Sequence, residues 1–144
     1  MCKGDAELTD TPSEALVEDV YEALPGTWNF DREEGIKQVG TSTEVTYEGS
    51  AARLTFQVSI SFETNAQETL HTLVIYKNGV LQSRTKSQCL IMFQAVEQRS
   101  IDLTATLSAV SGDTFELFIK ASVNPAGPST IDLVNGTLSV LGGS

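Results

Sequence analysis

Residues 53–62, RLTFQVSISF, constrain the fold more than any other stretch. Leu54, Phe56, Val58, Ile60 and Phe62 fall on one side of an extended chain, and Thr55, Gln57, Ser59 and Ser61 fall on the other. Five apolar residues at period two predict a β-strand with one face in a core and one in solvent. Residues 100–110 repeat the pattern, with Ile101, Leu103, Ala105 and Leu107 facing in. Residues 114–121 do so again, with Phe115, Leu117 and Ile119 inside. There Phe118 sits on the opposite face between Glu116 and Lys120, where it needs a cover.

Between these lies a hairpin. Residues 70–77, LHTLVIYK, put Leu70, Thr72, Val74 and Tyr76 on one face and His71, Leu73, Ile75 and Lys77 on the other. Asn78 and Gly79 then supply the positive φ angles of a tight two-residue turn. Val80 and Leu81 resume a second strand, which soon becomes polar. The incoming arm is apolar on both faces. One face serves the domain core, and the other needs a second cover, such as a neighbouring subunit.

The remainder is read in the same way. Residues 89–93 make a short apolar strand. Ser111, Gly112 and Asp113 form a turn. Residues 130–141 form a final strand, or strand pair, broken at Asn135 and Gly136. Trp28 and Phe30 lie in a short strand, followed by a polar turn at residues 31–35 and a weak extended stretch at 36–47. The loops are residues 63–68, 94–99 and 124–129. Some eight short strands with little helix predict an all-β antiparallel sandwich.

The N-terminal segment reads differently. Residues 1–10 form a flexible acidic lead. Thr11, Pro12 and Glu14 resemble a helix start, with a cap, a first-turn proline and a capping-box acid. Leu16, Val20 and Leu24 recur every four residues, which predicts a short helix over about 12–24, stopped by Pro25 and Gly26. Residues 1–34 hold ten acids against Lys3 and Arg32, a charge of −8 out of −10 for the 144-residue chain. Residues 1–34 therefore form an acidic arm with a short helix, and residues 35–144 form the sandwich. Such acidity disfavours nucleic acid and suits a basic protein surface.

Little in the sequence supports chemistry. His71 is the sole histidine and falls on a strand, as a structural residue. Without a His/Cys cluster, no metal or other cofactor is expected. Cys2, in the lead, and Cys89, in a strand, are read as free thiols. The Asp31, Glu33 and Glu34 cluster misses the spacing of a calcium loop. Asn135, Gly136 and Thr137 match a glycosylation pattern, but no secretory signal region precedes them. No apolar run reaches the roughly 20 residues of a membrane span. The protein is expected not to be an enzyme, and a membrane partner is not expected.

Residues 41–141 resemble the C1q/TNF-like trimeric jelly roll as it occurs in phage virion proteins. The resemblance is carried by RLTFQVSISFETN, LHTLVIYKNGVL, SIDLTATLSAVSGDTFELFIKAS and TIDLVNGTLSVLG, in that order and spacing. It implies a jelly-roll fold and a homotrimer, with Phe118, Tyr76 and Val74 at the trimer interface. It also implies a virion structural role, as a capsid decoration (cement) protein on the capsid exterior, present in the host cytoplasm during assembly. Its partner would be the major capsid protein or another virion protein. Leu16, Val20, Leu24, Glu14, Glu18 and Asp19 would dock on the capsid, so removing residues 1–24 would leave a soluble trimeric knob. The alternative is the receptor- or glycan-binding head of a tail fibre or spike.

Overall fold

The computed structural model describes residues 2–17, 19–64, 69–91, 98–123 and 129–142. Thirteen strands occur among them: β1 (Cys2–Leu8), β2 (Ser13–Leu16), β3 (Glu22–Ala23), β4 (Trp28–Glu34), β5 (Ile36–Gln38), β6 (Val45–Tyr47), β7 (Ala52–Thr64), β8 (Thr69–Lys77), β9 (Val80–Leu81), β10 (Ser87–Ile91), β11 (Arg99–Ala109), β12 (Thr114–Val123) and β13 (Ser129–Gly142). One 3-10 turn, Ser83–Thr85, joins β9 to β10.

The strands form two antiparallel sheets stacked as a jelly-roll sandwich. The first runs β11-β7-β13-β1-β4, with β2 also on β13. The second runs β10-β8-β12-β6-β5, with β3 on β12 and β9 on β8. The three strongly alternating segments become β7, β11 and β12. Their inward residues, including Leu54, Ile60, Phe62, Phe115 and Ile119, are buried in one core. β13 is a single bulged strand whose register slips between Leu133 and Asn135.

The hairpin turn forms as its sequence dictates, with Asn78 at φ 51° and Gly79 at φ 77°. Its tip is locked to the β11–β12 turn. Asn78 Nδ2 donates to Asp113 Oδ1 at 3.0 Å, and Thr114 N donates to Asn78 Oδ1 at 2.8 Å. Together with the bond from Val110 N, the Asn78 contact holds the Asp113 carboxyl below its ordinary pKa. The outgoing arm is short, because β9 ends after two residues and β10 returns to pair with the far end of β8.

The N-terminal segment departs from its sequence reading. No helix forms over residues 12–24. Ser13–Leu16 pairs with β13 and Glu22–Ala23 pairs with β12. Asp19 lies between them at φ 58°, which no α-helix admits. Pro12 is no helix start either, since its carbonyl accepts from Leu133 N at 3.0 Å. The flexible lead is β1, which lies between β13 and β4 within the first sheet, and Cys2 is buried. Residues 31–34 continue β4 instead of turning. Residues 2–34 are thus woven through the sandwich, and backbone pairing overrides the four-residue spacing of Leu16, Val20 and Leu24.

Candidate interaction surface

The outward faces of the two sheets differ in chemistry. On the first sheet, β11, β7 and β13 present rows of polar side chains: Thr106 beside Thr55, Gln57 between Thr104 and Ser139, Ser100 beside Ser61. The Thr55 and Thr106 hydroxyls meet at 3.0 Å. Asp5, Glu7 and Asp31 border this face on β1 and β4. Such a surface is well solvated as it stands.

The second sheet presents aromatic rings. β8 and β12 pair with Val74 opposite Phe118 and Tyr76 opposite Glu116. All four belong to the face away from the core, as period two requires. Tyr76 and Phe118 stack with centroids 4.0 Å apart and planes 22° apart. Tyr21, from the segment entering β3, meets Tyr76 edge-on at 6.1 Å. Lys120 Nζ lies 4.7 Å above the Tyr21 ring, a cation–π contact. The rings of Tyr21, Tyr76 and Phe118 are half-buried, so part of each still faces solvent.

Three polar groups lie in or beside the cluster. Burial, followed by the nearby Glu44 carboxyl, raises the pKa of Glu116. Burial, followed by Tyr21, raises that of Tyr76. The Tyr21 hydroxyl is buried and has no hydrogen-bond partner. Further along the same face Leu70 pairs with Leu90, which is 56% exposed.

Of the residues read from sequence as a subunit contact, all three come together here. Val74 is 0% exposed, sealed within its own chain, so it carries no free surface. Tyr21 and Lys120 were not foreseen. Only the pairing of Ala23 with Phe118 brings residue 21 to this face, and no local pattern announces a pairing 95 residues apart in sequence.

The docking residues read from sequence do not form one stripe. Leu16 and Leu24 are core residues at 1% and 3% exposure: Leu16 is the inward residue of β2, and Leu24 directly follows β3, where its backbone N donates to Leu117 O at 3.0 Å. Val20 is exposed, as is Val17 beside β2. Glu14 is half-buried; one carboxyl oxygen has no partner, and burial and then Glu22 raise its pKa. Asp19 accepts a hydrogen bond from the Ser122 hydroxyl. Glu18 lies outside the described residues.

Cys2 and Cys89 are both free thiols. Among the described residues no three His, Cys, Asp or Glu side chains gather to hold a metal. Among the described residues no helix is long and apolar enough to cross a membrane.

No family model matches the chain, and no curated protein matches it. Solved structures do. Eiger TNF from S. frugiperda superposes with a TM-score of 0.63 at 12% identity, covering 97% of this chain and 92% of that one. The globular domain of zebrafish complement 1qA gives 0.56 at 8% identity, covering 98% and 96%. Murine APRIL at pH 5.0 gives 0.55 at 12% identity, covering 92% and 97%. Identities this low speak to architecture alone, and on that they agree: the chain has the jelly-roll fold of TNF- and C1q-like domains.

Proposed function

We propose that the protein is a homotrimeric virion structural protein that binds the outer surface of a phage capsid as a decoration, or cement, protein. The observation that carries this reading is the half-buried ring cluster of Tyr21, Tyr76 and Phe118 on a sandwich of this fold. Rings that one chain covers only in part gain by further burial, about 1.5–3 kcal/mol for each fully buried side chain. A trimer repeats that gain in every subunit.

The work is mechanical. Many copies on a symmetric lattice multiply modest contacts and add buried interface between capsomers. The partner is the major capsid protein or another virion protein with a basic, partly apolar patch. The docking surface is narrower than the whole N-terminal segment: Val17 and Val20, exposed beside Asp19, with Glu22 accepting a hydrogen bond from Val17 N. Val17→Asp combined with Val20→Asp should leave fold and oligomeric mass unchanged while removing most cosedimentation with capsids. Undiminished binding would refute this docking surface.

The second reading is the receptor- or glycan-binding head of a tail fibre or spike. The rings flanked by Glu116, Glu44 and Lys120 favour it, since aromatic faces with polar neighbours suit sugar rings. It predicts that labelled protein binds bare host cells, and that Phe118→Ala abolishes this binding.

A further inference from the structure

His71 is 0% exposed, and neither ring nitrogen has a hydrogen-bond partner. Buried polar atoms are nearly always paired, so this one is exceptional. The ring packs on Phe62 of β7, with centroids 4.8 Å apart. On β8 it stands opposite Cys89 of β10 and Ala121 of β12. β10 is an edge strand bonded within its sheet to β8 alone. Beyond that ladder, Ser87 Oγ donates to Asp102 O at 2.6 Å and Gln88 Nε2 to Thr72 Oγ1 at 3.2 Å.

We propose that His71 is an acid-responsive latch: proton uptake on its ring favours a state in which β10 has parted from β8 and the ring is hydrated.

The neutral imidazole is tolerated against Phe62, but an imidazolium there has no partner. From β10 the facing titratable group is the Cys89 thiol, whose pKa is raised by its own burial. From β12 the residue opposite is Ala121, and from β7 it is Phe62. Arg99, paired with Phe62 on β11, acts on Cys89 with a positive charge. Burial alone lowers the His71 pKa from 6.5 to about 4, with no carboxylate contributing. The opened form therefore binds more protons than the closed form between those two values. Opening rises as pH falls from 6.5 towards 4 and levels off below.

The other shifted acids do not share this signature. The raised pKa values of Glu14 and Glu116 favour the closed form on acidification. Asp113, with a lowered pKa, weakens the fold only as pH falls through and below the ordinary carboxyl value of 3.8.

The test is amide hydrogen exchange of Ser87 to Leu90 in the full chain, corrected for intrinsic rates. The opening constant should rise about 30-fold between pH 7.5 and pH 5. His71→Met and His71→Phe should each hold it flat; either folded variant suffices. A flat profile in the natural chain, or the same rise in a folded variant, would overturn the latch.

Discussion

Removal of residues 1–24 is expected to abolish the fold, not to release a free-standing knob. β1 pairs with β13 from Cys2 to Glu7 and with β4 from Lys3 to Leu8. Its loss strips the partner from β4 and opens the edge of β13. The deletion also removes Leu16 and Leu24 from the core. Their burial alone is worth about 3–6 kcal/mol, against a net stability of about 5–15 kcal/mol for a typical domain. The truncated chain should lack a cooperative unfolding transition and the near-ultraviolet circular dichroism of a fixed Trp28. A cooperative transition like that of the full chain would show that β1, β2 and β3 are dispensable.

The second large effect is expected at Trp28, which is 1% exposed on β4. Its indole Nε1 donates to Pro25 O at 3.1 Å, and its carbonyl accepts from Gln38 Nε2 at 2.7 Å. The ring lies against Gly136 of β13, where a Cβ would come 2.4 Å from Trp28 Cη2. Trp28→Ala should cost about 3–5 kcal/mol in denaturant unfolding, through lost burial and the cavity left behind. Gly136→Ala should cost about 1–3 kcal/mol, because the ring must shift within a packed core. In the double variant the second cost should largely vanish, since the obstructing ring is gone. Strict additivity would mean that Trp28 does not occupy the Gly136 surface.

The Trp28–Gly136 contact also marks a limit of sequence reading. Asn135 and Gly136 read as a break in a strand, and the structure does place a bulge there. That the glycine makes room for an indole from β4 is a relation between residues 108 positions apart, with no local signature. The strands of the body were legible because β7, β11 and β12 are long and keep an unbroken inward row of apolar residues. The Asn78–Gly79 turn was legible because few residue pairs accept its φ angles. The N-terminal segment was not, for a physical reason. β2 and β3 are four and two residues long, too short to show a period. The buried residues that end β2 and follow β3, Leu16 and Leu24, sit eight apart with Val20 between them, which mimics one helical stripe. Each faces the core from a different sheet.

The ring cluster was half legible for the same reason. Phe118 and Tyr76 stood out as apolar residues on faces left over once the core was assigned. Their adjacency follows from the β8–β12 register, which fixes Val74 opposite Phe118. Tyr21 reaches them only because β3 pairs with β12, and that pairing is set by tertiary packing.

The most direct test of the account is the solution mass of the full chain, measured by light scattering on a sizing column. Self-association through the second sheet predicts a species of three 15.5 kDa chains, about 46 kDa. Phe118→Glu should shift it towards the single chain without unfolding it. A 15.5 kDa species from the unaltered protein at all concentrations would contradict the account, since the rings of Tyr21, Tyr76 and Phe118 would then face solvent unaided.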